Sequence, residues 1–361
     1  RGAVGKVYLV LLKDSDKVYA MKVLTKAEMV EKNKVQRVLT EREIFATVNH
    51  PLIVTMYASF QTSEKLYYIM DYCQGGEFYQ FLQAQPSKRL PESAVRFYVA
   101  EVTLALEYLH HMGFIYRDLK PENVLMRANG HIALTDFDLS KQAQALSPKI
   151  IEHQLSLAQK VKVGLKMAPA SRKSLEIVDC EPVMTGDCNS FVGTEEYIAP
   201  EIVEGTSQTA AVDWWTVGVL TYEMLYGTTP FKGDSQDATF ENILSSRKIS
   251  FPSDSEVPVS RDCKDFIRAL LRRDVGKRLG GTNGASDLKS HKWLKSLNLD
   301  LIRNAKAPAV PKLRDPLDMS QYKPMKNAEF ENEAATPSKI SDNPFSEFDI
   351  RVERDGANRR S

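Results

Sequence analysis

The apolar residues of this chain change their period once, near Tyr72, and that change limits the possible fold more than any other feature. Before it, Val4 to Leu12 and Lys17 to Leu24 are apolar and β-branched and read as two strands. The turn-forming Asp14-Ser15-Asp16 joins them. Ile53 to Phe60 and Lys65 to Tyr72 read as two more. Residues 32–49, between the pairs, carry Val35, Val38, Leu39, Phe45 and Val48 as a helical stripe. After Gly75-Gly76 the period is helical. Pro91 opens a segment with Val95, Tyr98, Val99, Val102, Leu106 and Leu109, closed by Gly113 just past its end. Val212 to Leu225 is apolar nearly all round, as a helix buried in a large core must be. A further amphipathic helix is expected over Cys263 to Leu271. At 361 residues the chain exceeds one hydrophobic core. The expectation is an α+β protein with a small strand-rich unit ahead of a larger helical one, and without internal repeats.

Composition excludes several classes of function. Lys plus Arg number 48 against 47 Asp plus Glu, a net charge of +1, so nothing in the charge calls for nucleic acid. Cys73, Cys180, Cys188 and Cys263 form no CxxC pair, which argues against a zinc site or a disulfide framework and for a reducing compartment. No uncharged apolar run nears the roughly 18 residues of a membrane span, and no signal peptide opens the chain. A cytoplasmic location is expected. Two stretches look irregular. Residues 141–188 carry Lys141, Lys149, Lys160, Lys162, Lys166, Arg172 and Lys173, and residues 304–361 are rich in Pro, Asn, Asp and Ser, like an extended tail.

Chemistry concentrates in two strings. Tyr116-Arg117-Asp118-Leu119-Lys120-Pro121-Glu122-Asn123 packs two acids, two cations and an amide into one polar loop after a helix. Thr135-Asp136-Phe137-Asp138 follows the apolar run Ile132-Ala133-Leu134, which sets Asp136 at a strand end. Upstream, Lys22 interrupts an apolar strand whose alternation puts Ala20, Lys22 and Leu24 on one face. Glu41 sits among Val38, Ile44 and Phe45 within the helical stripe of 32–49. A carboxylate buried there requires a partner. Arg42 lies near the same stripe, so periodicity alone leaves the pairing open.

On these residues the chain resembles the protein kinases, whose signatures are an Arg-Asp loop ending in Asn, a DFG-type string, a strand lysine and an Ala-Pro-Glu segment. The last is matched by Gly193-Thr194-Glu195-Glu196-Tyr197-Ile198-Ala199-Pro200-Glu201. The resemblance implies a bilobal kinase fold with a β-rich N-lobe over 1–72, a helical C-lobe over 73–297 and a C-terminal tail over 298–361. It also implies ATP and Mg²⁺ as cofactors. Asp118, Lys120, Asn123 and Asp136 would be catalytic, with Asp118 accepting the hydroxyl proton and Asn123 and Asp136 giving hard oxygens to the metal. Lys22, paired with Glu41, would hold the α- and β-phosphates. Arg1-Gly2-Ala3-Val4-Gly5-Lys6-Val7 matches the end of a kinase glycine loop, so the N-lobe is expected to begin inside that loop. Gly2, Gly5, Val7, Ala20, Met70, Asp71, Cys73, Glu77, Leu125, Thr135 and Tyr322 would complete the nucleotide site. Glu201 would pair with Arg278, Asp213 would brace the catalytic loop, and Arg117 would meet the activation segment.

Within the kinases the similarity is to the AGC group, and inside it to fungal flippase kinases and plant phototropin-type kinases. Tyr116 replaces the usual His, DFD replaces DFG, and a long insert precedes Ser190-Phe191-Val192-Gly193. Asp138 in place of Gly is expected to restrict backbone flips. Ser190 occupies the activation-loop phosphosite, implying an upstream activating kinase. Glu77, Glu122 and Glu223 stand where such kinases recognise basic residues before the target Ser or Thr. Phe345 and Phe348 match a hydrophobic motif that docks on the small lobe, with Asp349 at its phosphoacceptor position. The basic insert reads either as a solvated loop or as a peripheral contact with acidic membrane lipid. The protein is expected to act as a monomer on protein substrates. A pseudokinase scaffold is the alternative. A dinucleotide-binding oxidoreductase is set aside for want of a complete GxGxxG and of alternating βαβ units.

Overall fold

The computed structural model describes residues 5–145, 149–153, 175–179, 182–183, 194–206, 208–253, 255, 257–315, 317 and 343–352. Its first unit is an antiparallel sheet. β1 (Lys6–Leu11) pairs with β2 (Val18–Thr25), and β2 with β4 (Lys65–Asp71), which in turn pairs with β3 (Met56–Gln61). The register sets Lys22 opposite Val7 on one side and Tyr68 on the other.

The helix expected over 32–49 is α2 (Val35–Thr47), and ahead of it stands a short helix, α1 (Lys26–Glu31), for which the sequence gives no expectation. The break falls at Asn33, whose φ of 53° lies in the left-handed region that Asn tolerates better than most residues. The amides of Lys32, Asn33 and Lys34 fold back onto the carbonyls of Glu28, Val30 and Met29, closing α1 before α2 begins. α2 then lays Val38, Glu41, Ile44 and Phe45 against the sheet.

Past β5 (Gly76–Glu77) and α3 (Phe78–Gln83) comes α4 (Glu92–His111), opened by Pro91 and followed by Gly113 at φ 81°. The strands β6 (Phe114–Ile115), β7 (Val124–Met126) and β8 (Ile132–Leu134) bracket the polar loop between residues 116 and 123. The insert is less irregular than its composition suggests. β9 (Lys141–Gln142) pairs with β6, β10 (Gln144–Ala145) with β13 (Pro182–Val183), and β11 (Lys149–His153) with β12 (Leu175–Asp179). Ile150, Ile151, Ile177 and Val178 fall on paired registers of the last ladder, and β-branched residues favour strands.

Beyond it lie α5 (Pro200–Val203), α6 (Ala211–Tyr226), α7 (Gln236–Leu244) and α8 (Arg261–Leu270). α6 is the axis of the helical unit, with Trp214 and Trp215 fully buried, and it ends at Gly227 in the left-handed conformation. The chain finally returns to the sheet. Phe345 and Phe348 are fully buried, and β14 (Ile350–Arg351) adds an edge strand to β3.

Candidate active site

Asp213 fixes the polar loop. It is fully buried at the start of α6, and its carboxylate accepts from the backbone N–H of Tyr116 at 2.9 Å and of Arg117 at 2.7 Å. His110 lies 2.7 Å from the same carboxylate. A buried carboxylate needs such partners, and in return it holds the loop backbone in place. Arg117, at a φ of 63°, donates to the carbonyl of Leu139 and to Gln208, tying the loop to the segment after Asp136.

Within the loop, Asp118 receives Lys120 Nζ at 2.9 and 3.0 Å and Asn123 Nδ2 at 2.7 Å. Burial pushes the Asp118 carboxyl above its ordinary value, and Lys120 and Asn123 pull against that shift. Asp136, at the end of β8 with a φ of 59°, is held below the usual carboxylate range by Lys22, whose ammonium is 3.5 Å away. Asp118 and Asp136 lie close enough for the charge of each to act on shared neighbours, Lys120 acting on both. Burial alone would lower the Lys22 ammonium, but Asp136 and then Glu41 overcome it and hold the lysine charged. Glu41 is 2.7 Å from Lys22 and buried, whereas Arg42 turns outward to the carbonyl of Phe348. The ambiguity between Glu41 and Arg42 is thereby resolved in favour of Glu41 facing the lysine.

The donor set suits Mg²⁺. Asn123 spends its amide nitrogen on Asp118 and leaves its carboxamide oxygen for a ligand, and Asp136 is ionised. Among the described residues no three His, Cys, Asp or Glu side chains gather as a dedicated metal cage. Mg²⁺ beside phosphates takes one or two protein oxygens and needs no such cage.

Gly5, at φ 118°, holds a backbone conformation that residues with a side chain rarely adopt. Ala20 stands opposite Met70, and Val7 is exposed. The Asp71 carboxylate is committed to Tyr57 at 2.7 Å and Arg127 at 3.1 Å, and burial pushes the Cys73 thiol up to about 12. Leu125 and Thr135 are partly buried, the Thr135 carbonyl accepting from Tyr116 Oη. Gly2, Ser190 and Tyr322 lie outside the described residues.

Glu122 and Glu223 come together; Glu77 is on β5, at the head of α3. Burial raises Glu223, and the nearby charges of Glu122 and Glu196 raise it further, while Tyr197 donates a hydrogen bond to it. Glu196 was missed from sequence, where it reads only as part of the segment before Ala-Pro-Glu. Phe45, Phe137 and Tyr116 were missed as a group as well. Phe45 meets Phe137 at 4.9 Å between ring centroids and Phe137 meets Tyr116 at 5.5 Å, both edge-on, linking α2 to the loop. Glu201 pairs with Arg278 through two bonds of 2.6 and 2.8 Å.

The chain matches the protein kinase domain over residues 1–163 and 171–294. It belongs to the protein kinase family, in its AGC-type branch. Over 99% of its length it is 47% identical to the serine/threonine-protein kinase nrc-2 of Neurospora crassa, of which it spans 58%. Flippase kinase 1 of Saccharomyces cerevisiae is 50% identical over 87% of the chain, which spans 33% of that protein. Phototropin-2 of Oryza sativa subsp. japonica is 45% identical over 86% of the chain, which spans 32% of that protein. The family uses ATP with Mg²⁺ and acts on proteins, and nothing in these relatives favours a pseudokinase.

Proposed function

We propose that this chain is the catalytic domain of a Ser/Thr protein kinase that phosphorylates hydroxyls preceded by basic residues. The observation that carries the reading is the joining of two ionic groups. Asp118 with Lys120 and Asn123 forms one, and Lys22 with Glu41 and Asp136 the other. Asp118 orients the incoming hydroxyl and accepts its proton, a contribution of about 10²–10⁴-fold for a base of this kind. Burial raises its basicity, and Lys120 opposes that shift. Lys120 donates to the moving phosphoryl group, and Lys22 holds the α- and β-phosphates. Glu41 keeps the Lys22 ammonium in place. Asn123 and Asp136 hold Mg²⁺, which, when bound, neutralises phosphate charge. By its resemblance to the family, backbone N–H groups near Gly5 would cover the phosphates, with Val7, Ala20, Met70, Leu125 and Thr135 about the base.

Glu122 and Glu223, with Glu196 beside them, form an acidic patch suited to Arg or Lys of a substrate, and Glu77, at the head of α3, is the third acid expected to meet such residues. Phosphorylation of Ser190 by an upstream kinase would give Arg117 an anionic partner. A cytoplasmic protein touching acidic membrane lipid through residues 141–188 is consistent with that insert's lysines. The test is turnover of a peptide library with Mg·ATP. Preference for Arg before the acceptor, lost selectively in Glu223→Gln, is expected. Turnover indifferent to basic residues would overturn the substrate assignment.

A further inference from the structure

Asp138 and Lys34 meet across the cleft. Asp138 Oδ2 lies 3.0 Å from Lys34 Nζ and 4.0 Å from Arg37 Nη1. The Lys34 and Asp138 side chains are only 16% and 25% exposed, so water screens their pairing less than it would a surface pair. Lys34 is the N-cap residue of α2 and makes no side-chain cap, and the first turn of that helix holds no acidic residue. Two cations, Lys34 and Arg37, therefore stand at the end of the helix where the macrodipole already favours an anion. The missing anion arrives from the segment after β8.

Backbone geometry does not explain an Asp at this position. Asp136 has a positive φ but Asp138 does not, so the carboxylate there relieves and creates no strain of that kind. Its own N–H bonds to the Asp136 carboxylate and helps hold that group ionised. α2 carries Glu41 two turns beyond Lys34, 2.7 Å from Lys22. A swing of α2 large enough to break Lys34 from Asp138 would draw Glu41 away from Lys22.

We propose that Asp138 and Lys34 form a latch that docks the N-terminus of α2 and so positions Glu41 against Lys22. Both are positioning residues, acting on the nucleotide through Lys22. The inference rests on the kinase reading of the site.

The test is a double-mutant cycle on the full chain with Lys34→Met, Asp138→Asn and both together. Each single substitution is expected to lower kcat/KM for ATP about tenfold, mainly by raising KM for ATP, with KM for peptide unchanged. The double variant should lose no more than Asp138→Asn alone, which also gives up Arg37, and the swap Lys34→Asp with Asp138→Lys should recover part of the loss. Losses that multiply in the double variant overturn the latch. So does a uniform fall in kcat with KM for ATP unmoved. Hydrogen exchange along residues 35–47 reads the same contact without turnover: equal acceleration in both singles and the double is expected, and unchanged exchange overturns the proposal. Wild-type chain that exchanges slowly in α2 yet turns over no peptide would break the kinase reading while leaving the latch standing.

Discussion

The polar loop and helix α2 both present charged groups to one cleft, but they are held there by different forces. The loop hangs by its backbone from Asp213, a carboxylate with no exposure at all, and its neighbours α4 and α6 are core helices. α2 is held at its start by Lys34 and Asp138 and in its middle by Glu41 and Lys22. Beside it rests Phe348, whose carbonyl accepts from Arg42 and which is borrowed from nearly the other end of the sequence. Buried backbone hydrogen bonds are costly to break and exist in one arrangement. Partly exposed ion pairs and a docked tail come off separately, so α2 is the part of the site that other events can set.

That contrast can be attacked at four points. The largest effect is expected from Asp118→Asn, which should cut kcat by about 10²–10⁴-fold with the melting temperature little changed. Retained turnover would remove Asp118 from the chemistry.

Next comes the tail. Phe348 packs on Tyr68 at 5.1 Å, and its carbonyl accepts from Ser59 Oγ at 2.5 Å. Phe348→Ala should weaken tail docking by about 3–5 kcal/mol, the usual cost of such a truncation in a core. Limited proteolysis near residue 345 and a higher KM for ATP would report it, while exchange in the loop stays slow. Faster exchange in the loop would erase the distinction between the two regions.

Asp213→Ala is the mirror experiment. Leaving the Tyr116 and Arg117 amides without their acceptor should cost at least about 2 kcal/mol in denaturant unfolding. Its exchange signature should fall on the loop and spare α2.

The smallest effect is sought in the pH profile of the turnover that Lys120→Met retains, since that variant also loses the donor to the phosphoryl group. Asp118 must be ionised to take a proton, and Lys120 opposes the upward pull of burial on it. Removing that cation moves the carboxyl further up, so the acidic limb of kcat should shift to higher pH. A limb that moves down, or not at all, would mean that another group governs it.

How much was legible depended on whether a feature was local. The loop string, the Asp136 string and the Ala-Pro-Glu segment are contiguous, and each was read with its residues in place. Strand alternation set Lys22 on a definite face, and helical period put Glu41 in an apolar stripe. The helix α1 was missed because six residues are too few to show a helical period. The short ladders of the insert were missed because their partners lie far apart in sequence, with no tight turn to announce them.

The acid beside Glu223 and the partner of Asp138 were unreadable for the same reason. Glu196 and Glu223 are separated by a whole helix, and Lys34 precedes Asp138 by most of the sheet. Asp138 read from sequence as a constraint on backbone, whereas its side chain is an ion-pair partner.

By itself the sequence determined the chemistry at hand and the kinds of elements that carry it, since residue type and period are local properties. Tertiary structure alone decided which charges face one another, because Coulomb energy depends on distances in space that a one-dimensional order does not contain. It also decided that residues 350–351 finish the sheet begun at residue 6, a closure that only the folded chain can make.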